Sequence, residues 1–75
     1  MMIFDVEVTR DDRWWMITVP ELDGYVTPSG AINIGDTTQA RHEGEIEAVA
    51  RDFVATVLGV PTEDVAVRLP PRREP

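Results

Sequence analysis

The chain has 75 residues, no cysteine, and 14 acidic residues against 7 basic ones, for a net charge of −7. At this length it forms one domain with a barely sufficient core, so assembly is expected, and the missing thiols exclude disulfides and thiolate metal sites while fitting a reducing cytoplasm. No apolar run approaches the ~20 residues that span a bilayer, the start Met-Met-Ile-Phe-Asp-Val-Glu is no signal peptide, and the negative field disfavours nucleic acid.

Residues 2–9 read as the first strand, with Phe4, Val6 and Val8 on one face and Ile3, Asp5, Glu7 and Thr9 on the other. The second strand follows over residues 14–19: Trp15, Ile17 and Val19 alternate with Trp14, Met16 and Thr18, until Pro20 removes a ladder donor and Asp23-Gly24 supplies a turn. A two-residue loop at Asp11-Asp12 pairs Val8 with Trp15, Val6 with Ile17 and Phe4 with Val19, all of them apolar couples. A loop of three or four residues is the alternative, because adjacent carboxylates are not the best turn pair. Between Tyr25 and Ala40, Pro28-Ser29-Gly30 and Gly35-Asp36 are turn signals. The third strand is expected over residues 31–40, bulged at Gly35, with residues 25–30 as an enlarged loop.

Ile46, Val49, Ala50, Phe53, Val54, Val57 and Leu58 follow the i, i+3, i+4, i+7 rule, which predicts a helix starting near residue 45 with Gly44 as N-cap. A start at Asp36 or Thr37 is the second choice, since it places Gly44 inside the helix. Gly59 in the left-handed region and Pro61 beyond it stop the helix. Asp64 to Leu69 alternates again, and Val65, Val67 and Leu69 form the apolar face of a fourth strand. Residues 1–69 thus form a single α+β domain of order β-β-β-α-β, and residues 70–75, rich in Pro and Arg, are expected to be a disordered tail. A right-handed crossover lays the fourth strand beside the first and parallel to it, in sheet order 3-2-1-4. The single helix covers the face of Phe4, Val6, Val8, Trp15, Ile17, Val19, Val65 and Val67. Trp14 and Met16 are left on the open face, among Asp5, Glu7, Thr18 and Arg68.

The catalytic inventory is sparse: one His, one Ser, one Tyr and no Lys. His42, just before the helix, and Ser29, in a turn, read as surface or boundary residues rather than as a base and a nucleophile. Asp5 and Glu7 share a strand face, an arrangement that some nucleases use for a divalent metal. Such a site needs further ligands, for which Asp52 and Asp64 are the candidates, and a solvated strand face is the preferred reading. Arg68, Arg72 and Arg73 form a basic patch too small to argue for nucleic acid.

The run Trp14-Trp15-Met16-Ile17-Thr18-Val19-Pro20-Glu21-Leu22-Asp23-Gly24, with Thr38-Gln39-Ala40-Arg41 and Glu45-Ile46-Glu47-Ala48-Val49-Ala50-Arg51-Asp52, resembles the HicB-like antitoxins. The hydrophobic-Pro-Glu-Leu-x-Gly step is the most specific piece, and the resemblance covers residues 2–69. It implies an antiparallel three-stranded sheet with a fourth strand parallel to the first and one helix, a partial ribonuclease H-like fold. It also implies an antitoxin: a non-enzymatic cytoplasmic protein, without cofactor or metal, that covers the active site of a small basic, mRNA-cleaving, HicA-like ribonuclease toxin. Two departures stand out. Tyr25 to Thr37 intervenes where relatives pass almost directly into the Thr-Gln-Ala strand, and the C-terminal DNA-binding domain of many relatives is missing, so direct operator binding is not expected. A desolvated anchor for the toxin is expected at Asp5, Glu7, Trp14 and Met16; the alternative is that this patch joins copies in a homodimer or larger assembly and the loop at residues 25–36 touches the toxin. Two further classes are an orphan oligomeric module of the same fold without a toxin, and a metal-dependent nuclease of ribonuclease H type.

Overall fold

The computed structural model describes residues 2–70. Its strands are β1 (Met2–Asp5), β2 (Glu7–Asp11), β3 (Trp14–Thr18), β4 (Thr37–Ala40) and β5 (Val65–Arg68), and one helix, α1 (Ile46–Leu58), precedes the last. The fold is the expected α+β arrangement, with β2, β3 and β4 antiparallel and β5 parallel to β1. The proposed tail lies outside the described residues, apart from Pro70.

The first strand is not continuous. It changes partner at Val6: before that residue it pairs with β5, as Phe4 with Val67 and Asp5 with Arg68, and after it with β3. The Val6 N–H donates to the Arg68 carbonyl at 3.0 Å, which carries the β1–β5 ladder one step past the last paired residues. The expected neighbours are kept, third strand beside second and first beside fourth, but they form two separate ladders rather than one sheet of order 3-2-1-4.

The hairpin register also differs from expectation. Asp11 pairs with Trp14, Arg10 with Trp15, Thr9 with Met16, Val8 with Ile17 and Glu7 with Thr18, so the loop is Asp12-Arg13 rather than Asp11-Asp12. Asp12 adopts φ 54° there, and Asp tolerates the left-handed region better than most residues. The shift is two residues, and strand side chains alternate with period two, so every apolar residue keeps its face. Phe4, Val6, Ile17 and Val19 are buried, and Val8 and Trp15 pack against them.

The third strand is shorter than expected, Thr37–Ala40, with no bulged extension to residue 31. Residues 24–33 instead fold on themselves as a small arm. Val26 bridges Ile32, the Thr27 N–H donates to the Ala31 carbonyl, the Asn33 N–H to the Tyr25 carbonyl, and the Gly24 N–H to the Asn33 carbonyl. Pro28 and Ser29 sit at the centre of its turn, which closes from the Gly30 N–H to the Thr27 carbonyl at 2.8 Å.

The Pro-Glu-Leu step is a single 3-10 turn, Pro20–Leu22, that ends the second strand and drives Leu22 into the core, where it is fully buried. The helix stripe is as expected: Ile46, Ala50, Val54 and Leu58 are buried, with Val49, Phe53 and Val57 packed beside them. Its start differs. Gly44 is not the cap but the middle of a 3-10 turn, Glu43–Glu45, through which the Glu45 N–H reaches the His42 carbonyl and the Ile46 N–H the Glu43 carbonyl. Those short-range bonds satisfy helix-end donors without a side-chain cap, and Glu47 in the first turn faces the positive end of the dipole. The stop is as expected, with Gly59 at φ 73° and both Gly59 and Val60 donating to the Ala55 carbonyl.

Candidate functional site

Strand alternation places Glu7, Thr9 and Asp11 of β2, Trp14, Met16 and Thr18 of β3, and Thr37 and Gln39 of β4 on the face away from α1. Asp5 of β1 reaches the same side. All four expected anchor residues therefore share one face, but they do not form one cluster. Trp14 and Thr18, the partner of Glu7, stand at opposite ends of β3, about 13 Å apart at the rise of a strand. Met16 lies between them, half-buried like Trp14.

Asp5 is engaged by its own neighbour. Arg68, its partner across the parallel ladder, donates Nε to Oδ1 at 2.5 Å and Nη2 to Oδ2 at 3.1 Å, a bidentate fork. That hydrogen bonding, opposed by desolvation and supported by the Arg68 charge, holds the Asp5 carboxyl below its usual range, and the same bond raises the Arg68 guanidinium above its own. A carboxylate committed to an arginine is a poor metal ligand. Among the described residues, no three His, Asp or Glu side chains gather where they could hold a metal ion. Farther along the face, the Thr18 and Thr37 hydroxyls are hydrogen-bonded across β3 and β4 at 3.2 Å.

Both tryptophans carry an arginine. Arg10, opposite Trp15, places its guanidinium 4.6 Å from that ring, on the helix side; Arg41, one step beyond the Trp15–Ala40 pair, lies 5.3 Å from the Trp14 ring on the open side. The register that sequence reading missed by two residues produces the first of these contacts. Arg13, Trp14, Arg41 and His42 line a shallow depression of about 290 Å³ at this end of the sheet.

The arm at residues 24–33 is the second feature. Val26, Ile32 and Ile34 are 59%, 66% and 86% exposed, Ile34 being the most exposed of the large apolar residues described. Tyr25, on the opposite side of the arm, packs toward the core. Asn33 fastens the arm to the body: its side-chain amide donates to the Leu22 carbonyl at 2.7 Å and to the Gly35 carbonyl at 2.6 Å. The sequence marks residues 25–36 as the alternative partner contact but not this arm conformation, for which the signal is the pair of short apolar runs flanking Pro28-Ser29-Gly30. Between Trp14 and Ala40 the sequence carries Glu21, Asp23 and Asp36 and no cation. No helix among the described residues is long and apolar enough to cross a membrane.

Comparison of the chain with known protein families, with curated proteins and with solved structures finds no match.

Proposed function

We propose that this chain is an antitoxin-like module that neutralises a small basic ribonuclease by covering its active site, acting by occupation rather than by turnover. The observation that carries the reading is the arm and the residue after it: Val26, Ile32 and Ile34 stand exposed on an uncharged segment flanked by the carboxylates Glu21, Asp23 and Asp36. A net charge of −7 attracts a basic partner over distance and accelerates encounter, but steering alone gives little lasting affinity. Apolar side chains that lose water on docking supply the rest, and burying a branched aliphatic residue contributes about 1.5–3 kcal/mol. The stretch from Trp14 to Gly24 resembles the HicB-like antitoxins, and that resemblance supports a basic, RNA-cleaving toxin as the partner class. Self-association belongs to the same proposal, because every strand but β3 is paired on one side only among the described residues.

The test is capture from the native cytosol on immobilised protein, followed by an RNA-cleavage assay on what is retained. A small basic ribonuclease should be held by the native chain, released by raised salt, and inhibited when recombined with it. A chain carrying both Ile32→Ser and Ile34→Ser should fold normally and retain it at least tenfold less well. Retention of no basic protein, or equal retention by the double variant, overturns the proposal.

A further inference from the structure

Arginine is the only cationic residue type here besides a single histidine, and five arginines lie among the described residues: Arg10, Arg13, Arg41, Arg51 and Arg68. Two of them are committed to the fold. Arg68 forks onto Asp5, and Arg51 reaches from α1 to the carbonyls of Val65 and Thr62, at 3.0 and 3.1 Å. The remaining three converge on the β2–β3 turn, around both tryptophans and beside His42. Arg10 is used there as well, stacked on Trp15 with its Nε on the Asp12 carbonyl. Arg13 and Arg41 are left at the rim of the depression floored by Trp14. The nearest carboxylate to Arg13, that of Asp12, stands 4.0 Å away with both side chains more than 80% exposed, too loose to occupy the guanidinium.

We propose that this notch binds a single phosphate monoester. A ring face attracts a guanidinium without taking up its N–H donors in ordinary hydrogen bonds, so Arg41 over Trp14 keeps donors available to a ligand. Arg13 brings a second fork from the turn, and the His42 imidazole, at the first residue past the arginine, adds a further donor. Donors arriving from separate segments suit a tetrahedral group with three terminal oxygens better than a flat carboxylate, which one fork satisfies. The open depression, about 290 Å³, has room for one phosphate group. The surroundings limit the ligand to one phosphate. Asp11 is the cross-strand partner of Trp14 and Asp12 precedes Arg13, so a nucleic-acid backbone running past the notch on the turn side meets carboxylates. This site is independent of the partner reading above, and it lies at the opposite end of β3 from the segment that leads into the arm.

The test is a titration of the full chain with inorganic phosphate and with adenosine 5′-monophosphate at fixed ionic strength. The readout is the Trp14 indole N–H and the Arg13 and Arg41 Nε–H resonances. A saturable response is expected, with a dissociation constant on the order of 1 mM for phosphate. Arg41→Gln and Arg13→Gln should each weaken binding about tenfold while leaving the remaining spectrum in place, since both side chains are exposed. Tighter binding of the nucleotide that is lost in Trp14→Leu identifies the ligand as a free mononucleotide, whereas equal binding assigns recognition to the phosphate group alone. A response linear in concentration, an equal response to chloride, or unchanged affinity in both arginine variants overturns the site.

Discussion

At the scale of single residues, the pairing of Asp5 with Arg68 ties the two ends of the described chain together and has a pH signature. The folded-state pKa of Asp5 is depressed, so the pair contributes stability fully above the ordinary carboxylate pKa of about 3.9 and loses it as pH falls through the lower folded value. Arg68 is raised above an already high value and stays protonated throughout, so the pH dependence of the pair in acid comes from Asp5. Arg68→Gln should therefore return the Asp5 carboxyl titration, followed by NMR, to its usual range. The gap in melting temperature between native chain and variant should be present at neutral pH and close in strong acid; an Asp5 midpoint unmoved by the substitution would show that the fork is absent in solution. Sequence reading placed Asp5 and Arg68 on one face correctly, because face membership follows from alternation alone. It could not place the fork, which depends on a parallel ladder between residues more than sixty positions apart.

At the scale of elements, the helix, its glycine stop, the fourth strand and the Pro-Glu-Leu turn were legible because each has a local physical signal. Apolar period, left-handed φ and a missing N–H are written in the residues themselves. The hairpin register was not legible, since a slip of two residues leaves every buried side chain buried and only the loop geometry distinguishes the two pairings. Nor was the arm, where short apolar runs fit equally well as a bulged strand. What decides it is Asn33, whose amide competes for the Leu22 and Gly35 carbonyls and turns residues 24–33 back on themselves. Asn33→Ala should destabilise the domain by about 1 kcal/mol, the Leu22 carbonyl keeping its bond from the Tyr25 N–H, and lower the melting temperature by roughly 4–8 °C. Amide exchange at Gly24 and Thr27 should quicken far more than in α1. Exchange that accelerates uniformly would mean the side chain stabilises the whole fold and does not act as a latch.

At the scale of the whole molecule, one helix over two short ladders leaves a thin body, 17 Å in its shortest dimension, with β1, β2, β4 and β5 each paired on one side only among the described residues. Unpaired backbone donors and acceptors are templates for a second chain, and the barely sufficient core gains from covering them. Sedimentation equilibrium should report a mass above 8.4 kDa that grows with concentration. A mass that stays at one chain across all concentrations removes self-association and leaves the module acting as a monomer. The same thinness has a consequence for observation. Trp14 and Trp15 are sequence neighbours whose indoles lie on opposite sides of one strand, one outside under Arg41 and one against the core under Arg10. The molecule thus carries two built-in optical gauges, separated by a single layer of backbone: the outer indole senses whatever settles on the sheet, and the inner one senses whether the interior has come apart.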